Sequence, residues 1–135
     1  MKTKLNSVLL IDDDEPTNFI AKMIVTKAEL NDNTQAIQSG VKALKYLQDE
    51  NFSNYDIPDL IFLDINMPTM NGWEFLEEYK KLDIHKKKKI VLYMLTTSMN
   101  DDDQLRSEKI EHVDGFLIKP LTLKTYTEIV NKHFV

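Results

Sequence analysis

A chain of 135 residues, 42% of them hydrophobic, has the length of a single domain with its own core, and we expect residues 1–135 to form one domain without a separate output domain. Its formal net charge of −5 argues against nucleic acid as a partner, because a phosphate backbone binds basic surfaces. The lack of cysteine excludes disulfides and thiolate metal sites, and no apolar run is long enough for a signal peptide or a membrane span, which predicts a cytoplasmic protein with no membrane contact.

The first part of the chain alternates predicted strands and helices. SVLLI (7–11) is a short apolar run typical of a strand that is buried on both faces. Pro16 suits the first turn of a helix. The residues that follow at helical spacing are Phe19, Ile20, Met23, Ile24 and Lys27. TQAIQS (34–39) predicts a more polar strand at a sheet edge, and a second helix follows Gly40.

The alternation continues to the end of the chain. DLIFLD (59–64) predicts the most buried strand, and turn residues at 66–72 follow it. A third helix carries Phe75, Leu76, Tyr79 and Leu82 on one face. IVLYML (90–95) and GFLIK (115–119) predict two more strands. Helices are predicted at 100–110, which begins with acids that suit a helix N-terminus, and at 121–135.

Strict alternation of strands and helices predicts right-handed crossovers and a parallel sheet that is covered on both faces. Five such units fit the flavodoxin-like, doubly wound α/β fold with strand order 2-1-3-4-5 and five flanking helices. A barrel of alternating strands and helices needs about twice this length. Ligands of the doubly wound fold bind at the carboxyl ends of the strands, beside the switch point between strands 1 and 3.

Polar residues stand at the carboxyl ends of four neighbouring predicted strands. They are Asp12 and Asp13 after strand 1, Asp64 after strand 3, Thr96 and Thr97 after strand 4, and Lys119 after strand 5. Carboxylates without His or Cys favour Mg²⁺ or Mn²⁺ over zinc. A carboxylate can accept a phosphoryl group, and lysine and threonine stabilise phosphoryl oxygens. This group therefore predicts phosphoryl transfer to Asp64.

Four segments carry a family resemblance: VLLIDDDEP, DLIFLDINMPTMNGWEFL, VLYMLTTS and GFLIKPLT. In order and spacing they resemble the signature segments of the receiver domains of bacterial two-component response regulators, over essentially the whole chain. The resemblance implies that Asp64 is the phosphoacceptor and that Asp12 and Asp13 hold Mg²⁺. It also implies that Asn66 offers its backbone carbonyl to the metal.

The same resemblance implies the residues of a switch. Thr96 matches the hydroxyl that contacts the phosphoryl group, and Lys119 matches the lysine that pairs with it. Phe116 stands where the family places a rotating aromatic ring, and Lys119–Pro120 stands where the peptide bond is usually cis. Movement of Thr96 and Phe116 would remodel the surface formed by the helix at 100–110, the strand at 115–119 and the helix at 121–135, including Tyr126. We expect partner docking or dimerisation to use that surface.

The implied function is that of a signalling switch and not of a metabolic enzyme. The switch phosphorylates itself from a donor and removes its own phosphoryl group by autodephosphorylation. A histidine kinase or a phosphotransfer protein supplies the phosphoryl group, and the domain signals by protein docking as a monomer or a phosphorylation-dependent dimer. The alternatives are a relay intermediate that passes the group to a second histidine, a Mg²⁺-dependent phosphohydrolase, and a pseudo-receiver. Against the phosphohydrolase, Asn66 stands where a haloacid-dehalogenase-type enzyme would want a second Asp. Against the pseudo-receiver, which usually lacks the acceptor or the acidic pair, this sequence has both.

The remaining charged residues have simpler interpretations. Asp14 and Glu15 suit the N-terminus of the first helix. HKKKK (85–89) is predicted to be a solvated loop. The histidines, His85, His112 and His133, are scattered in the sequence without a partner motif, which argues against a phosphohistidine relay within the chain.

Overall fold

The computed structural model describes residues 5–49, 53, 56–97 and 100–134. Five parallel strands form one sheet in the order β2-β1-β3-β4-β5, which confirms the predicted doubly wound topology. The strands are β1 (Leu5–Ile11), β2 (Asn31–Ile37), β3 (Leu60–Asp64), β4 (Val91–Thr96) and β5 (Gly115–Ile118). The helices are α1 (Glu15–Ala28), α2 (Gly40–Leu47), α3 (Gly72–Tyr79), α4 (Ile84–Lys87), α5 (Asp101–Glu108) and α6 (Leu123–Phe134).

The helix count differs from the prediction, because six helices and not five lie within the described residues. The additional one, α4, is a single turn that begins one residue before the segment 85–89, predicted to be a solvated loop, and overlaps it. The side chain of Ile84 is buried, and the backbone N–H of Lys88 donates to the Ile84 carbonyl at 3.1 Å. One buried residue in a four-residue turn leaves no hydrophobic period that a sequence reading could detect. The helices predicted at 100–110 and 121–135 are thus α5 and α6.

The side chains of the central strands alternate between two hydrophobic clusters, one on each face of the sheet. On one face Leu9, Leu63 and Met94 pack against α2 and α3. On the other face Leu10 and Phe62 pack against α1 and α6. None of the described helices is both long enough and apolar enough to cross a membrane.

Three large apolar residues of α1 point away from the sheet. Phe19, Ile20 and Met23 are 65%, 53% and 57% exposed, whereas the buried residues of the helix are Asn18, Ala21 and Val25. Two of these buried side chains are small, so the helix lies close to the sheet. The apolar spacing of the sequence therefore marked the outer face of this helix rather than its core face.

Tyr126 of α6 does not lie on the surface where it was predicted. Its side chain is fully buried, its ring packs 6.3 Å from that of Phe62, and its hydroxyl donates to Asn31 Oδ1 at 2.9 Å. Tyr126 is therefore a core residue that ties α6 to the start of β2. The prediction that it forms part of a docking surface is wrong.

At the amino edge of the sheet, where the amino ends of the parallel strands lie, Asp59 and Lys88 form an ion pair that is largely shielded from solvent. Asp59 Oδ2 accepts the backbone N–H groups of Asn6 and Ser7 at 2.7 and 3.1 Å, and Asp59 Oδ1 lies 2.8 Å from Lys88 Nζ. Lys88 Nζ also donates to the carbonyl of Ile57 at 2.9 Å. The pair joins β1 to β3 and to the segment before β4. Further lysines lie on this edge: Lys80, Lys81, Lys86, Lys87 and Lys89.

The three histidines have aromatic partners, which the sequence reading missed. The rings of His85 and His112 stack with their centroids 4.1 Å apart, and the edge of Tyr79 meets His85 at 4.6 Å. His133 lies 2.8 Å from the Tyr93 hydroxyl. The contacts of His85 with His112 and of His133 with Tyr93 connect residues far apart in the chain, so no local sequence motif indicates them.

Candidate functional site

Three carboxylates meet at the carboxyl edge of the sheet, where the carboxyl ends of the parallel strands lie. Asp12 directly follows β1, Asp64 ends β3, and the two strands are adjacent, with Ile11 level with Leu63. One oxygen from each of Asp12, Asp13 and Asp64 lies within 4.8 Å of the others. Asp12 and Asp64 are buried and Asp13 is exposed. The predicted convergence of the strand ends therefore brings these carboxylates together.

Lys119 reaches the carboxylates from the residues after β5. Its Nζ lies 2.5 Å from Asp12 Oδ2 and 3.0 Å from Asp64 Oδ1. Its backbone N–H donates to the Thr96 carbonyl at 2.7 Å, and the Lys119–Pro120 peptide bond is cis, as expected from the resemblance. Burial works against the ammonium charge, but the hydrogen bonds to both carboxylates outweigh it and raise the pKa of Lys119.

Burial raises the pKa of the Asp64 carboxyl, and the nearby charge of Asp12 adds to this. The hydrogen bond from Lys119 and a backbone hydrogen bond with Asn66 act in the opposite direction and favour the carboxylate. Asn66 itself is exposed beside the site. Asp64 is thus a carboxylate enclosed by protein whose charge depends on an adjacent cation.

The donor set fits a hard divalent cation. Three carboxylates against one ammonium leave two negative charges in excess. Carboxylate oxygens are the ligands that Mg²⁺ and Mn²⁺ prefer, and the described cluster contains no imidazole. A divalent cation would balance the charge of this group.

The two residues predicted to form a switch, Thr96 and Phe116, lie on one face of the sheet. Thr96 ends β4 and is buried, and it is level with Ile118 of β5. Phe116 is level with Met94, two residues before Thr96 on the same face, and it packs half-buried against the cluster that contains Met94 and Trp73. Phe116 and Thr96 are therefore diagonal neighbours on adjacent strands, which is within reach of an aromatic side chain.

Two residues that sequence reasoning missed support the site. The Asn18 side chain donates from Nδ2 to the Asp12 carbonyl at 2.8 Å. The Gly72 N–H donates to the Ile65 carbonyl at 2.7 Å, and a Cβ on Gly72 would lie 2.9 Å from the Asp64 carbonyl oxygen. An amide beside the apolar residues of α1 was a usable signal for Asn18, whereas the close approach at Gly72 appears only in three dimensions.

Asp14 is a helix cap and not a member of the carboxylate cluster, which agrees with its predicted role. Its side chain accepts from the Thr17 backbone N–H at 3.0 Å and from the Thr17 hydroxyl. Its backbone N–H donates to Asp12 Oδ1 at 2.9 Å. The cap thus holds Asp12 in place at the start of α1.

A groove with apolar walls opens beside Lys119. It lies between Ile20 of α1 and the residues after β5, with Leu121 and Pro120 on its wall and Thr97 at its upper end. Thr97 is exposed, in contrast to the buried Thr96. The groove connects the exposed apolar side of α1 directly to the carboxylate site.

Comparisons with known proteins agree with this geometry. A family model described as a response regulator receiver domain matches residues 8–131. Response regulator Rcp1 of Synechocystis sp. is 30% identical over 125 residues, which cover 91% of this chain and 82% of that protein. The crystal structure of a two-component response regulator from Cytophaga hutchinsonii has a TM-score of 0.87 and 34% identity over 97% of each chain. That of the phosphorylated cyanobacterial phytochrome response regulator RcpA has a TM-score of 0.73 and 28% identity, over 95% of this chain and 90% of that chain.

Proposed function

The chain belongs to the response regulator receiver family, and we propose that it is a signalling switch that accepts a phosphoryl group on Asp64. The observation that carries the proposal is the contact of Lys119 with both Asp64 and Asp12, at 3.0 and 2.5 Å, beside a third carboxylate. An ion pair with only a structural role would balance its charges, whereas here three carboxylates lie near a single ammonium.

The proposed reaction is an in-line displacement at phosphorus. An Asp64 oxygen attacks the phosphorus of a phosphohistidine, an O–P bond forms and the N–P bond breaks. The electron pair stays on the imidazole nitrogen, which takes a proton from solvent. The Lys119 ammonium and the Thr96 hydroxyl stabilise the phosphoryl oxygens.

Asp12, Asp13, Asp64 and the backbone carbonyl of Asn66 would hold Mg²⁺, with Mn²⁺ as a substitute. The cation would neutralise charge on the phosphoryl oxygens as they approach the carboxylates. Asp12 and Asp64 are already fixed by Asn18, Asp14 and Lys119, so this chain contributes a preformed arrangement of oxygens.

Acetyl phosphate, a small phosphodonor, tests the acceptor without a partner protein. With Mg²⁺ it should label the wild type at a base-labile acyl phosphate, and Asp64→Asn should abolish the label. Asp13→Asn should weaken Mg²⁺ binding. Glu15→Gln, which removes a neighbouring exposed acid outside the cluster, is the matched control and should label normally. Labelling of Asp64→Asn would overturn the assignment.

The donor is a histidine kinase or a phosphotransfer protein that docks over the groove beside Lys119. A donor must cover this edge to reach Asp64, and Ile20 offers it exposed apolar surface there. Ile20→Ser should slow transfer from a phosphohistidine protein at least about tenfold and leave labelling by acetyl phosphate unchanged, because small donors need no docking surface. Val41→Ser, on the exposed side of α2, is the matched control.

The downstream partner binds the α5–β5–α6 face. Leu105, Ile118 and Leu123 are exposed there, one from each element, and such apolar side chains suit docking or a phosphorylation-dependent dimer. Beryllofluoride, which mimics the acyl phosphate, should shift amide resonances across this face. Shifts confined to the carboxylate edge would favour a relay intermediate that passes the group to a second histidine.

A further inference from the structure

Helix α5 is attached to the sheet by few buried side chains. Of its eight residues, all within the described part of the chain, Ser107 alone is buried. Its first turn carries three acids, and Leu105 is 55% exposed. A helix that buries so little of itself depends on its remaining contacts for its position.

One of those contacts joins α5 to α3. The guanidinium carbon of Arg106 lies 4.5 Å from the centroid of the Trp73 ring, a distance typical of a cation–π interaction. The charge of Arg106 also acts on Glu77 of α3. Lys80 lowers the pKa of the Glu77 carboxyl most strongly, and Arg106 contributes in the same direction. The side chain of Arg106 therefore reaches from the last turn of α5 to Trp73 in the first turn of α3.

Trp73 is connected to the backbone of the phosphoacceptor strand. It follows Gly72, whose N–H donates to the Ile65 carbonyl at 2.7 Å and which has no room for a Cβ against the Asp64 carbonyl. Its own ring is buried in the cluster that also contains Met94, with Phe116 packed against it. Trp73 is thus a fixed point on the acceptor side, and Arg106 is the movable partner.

We propose that Arg106 is a latch that holds α5 in its resting position and opposes its displacement when Asp64 is phosphorylated. The proposal deepens the proposed switch and rests on it. Thr96 ends β4 and α5 begins at Asp101, so movement of Thr96 toward the phosphoryl group displaces α5. Arg106, at the other end of the helix, is drawn off the Trp73 ring as α5 moves, so the resting state alone has the full contact.

The size of the effect follows from the exposure of the contact. An exposed cation–π pair changes a two-state equilibrium roughly two- to five-fold. Without the latch, the activated position of α5 is reached more easily, so a ligand that selects that position binds more tightly by the same factor.

Beryllofluoride in saturating Mg²⁺ tests the latch, with its affinity measured from amide resonances of α5. Arg106→Ala should bind it about two- to five-fold more tightly than the wild type. Lys109→Ala removes a positive charge from the same end of α5 away from the ring and should bind like the wild type. Arg106→Lys keeps a cation and should lie between the wild type and Arg106→Ala.

Trp73 fluorescence supplies a signature that a general loosening of the fold would not give. Beryllofluoride should change the emission of the wild type as the guanidinium leaves the ring, and Arg106→Ala should lose most of that change. In the Trp73→Phe background, followed by resonances, Arg106→Ala should have a smaller effect than in the wild type, because the two substitutions remove the same interaction.

The outcomes separate the latch from the switch. If the wild type binds beryllofluoride and Arg106→Ala binds it equally or more weakly, the latch is overturned and the phosphoacceptor stands. If the wild type fails to bind, or if Asp64→Asn binds as well as the wild type, the phosphoacceptor falls and the latch falls with it.

Discussion

The two edges of the sheet each contain a shielded Asp–Lys contact, but the contacts differ in their charge balance. At the amino edge Asp59 meets Lys88, and two backbone N–H groups occupy the other carboxylate oxygen. At the carboxyl edge Lys119 is shared by Asp12 and Asp64, with Asp13 close by. The first pair balances one carboxylate with one ammonium, whereas the second group has two negative charges in excess.

This difference separates a structural contact from a functional one. A satisfied ion pair holds parts of the chain together and gains nothing from a further ligand. A cluster of like charges raises the free energy of the folded state until a cation binds, which is a common cost of a functional site. The same residue types therefore have opposite expected effects on stability when they are replaced at the two edges.

The largest effect is expected from Asp59→Ala. It leaves the Lys88 ammonium without its carboxylate and removes the acceptor of two backbone N–H groups, so the free energy of unfolding should fall by about 3–5 kcal/mol. Urea unfolding measures it. Asp83→Ala, which breaks the exposed pair with Lys86, is the control and should change stability by less than about 1 kcal/mol. Equal effects at the two positions would contradict the structural role of Asp59.

A smaller effect of opposite sign is expected from Asp64→Asn in the absence of divalent cations. Removing one charge from the acidic cluster relieves repulsion while Lys119 keeps Asp12, so the free energy of unfolding should rise by on the order of 1 kcal/mol. Added Mg²⁺ should stabilise the wild type more than the variant. A loss of stability as large as that of Asp59→Ala would show that the two edges are energetically alike.

The smallest effect concerns pH at the amino edge. Burial lowers the pKa of His85 below its ordinary value of 6.5, with a further contribution from His112, although the Tyr79 carbonyl opposes it. The unfolded chain therefore binds more protons as the pH falls below 6.5, and the free energy of unfolding decreases with falling pH until His85 titrates in the folded state. In His85→Gln that decrease should be smaller. An unchanged pH profile of urea unfolding would contradict a lowered pKa of His85 in the folded state.

Sequence reasoning predicted the topology and the positions of Asp12, Asp64 and Lys119 because each follows from local patterns. A continuous apolar run indicates a buried strand, and parallel strands place their final residues at one edge. The orientation of α1, with Ala21 and Val25 against the sheet and the larger apolar residues outside, could not be predicted, because spacing alone does not say which side of a helix meets the sheet.

Contacts between residues far apart in the chain were also beyond local patterns. Lys88 and Asp59, and His85 and His112, are neighbours only after folding. Likewise, the burial of Tyr126 depends on Phe62 and Asn31, which lie far away in the sequence. Such pairings are properties of the folded topology, and no single segment encodes them.

The carboxyl edge holds a cluster of acids, whereas four of the lysines at 80–89 on the other edge are paired with acids beside them, so the negative charge is distributed unevenly in a way that the net charge of −5 does not reveal. The acids that follow β1, the acid that ends β3 and those at the start of α5 lie at one end, and the lysines of 80–89 lie at the other. In the field of a basic docking surface such a molecule turns before contact, with Asp64 foremost. Encounters are then productive more often than random orientation allows, and this advantage fades as ionic strength shortens the reach of the field.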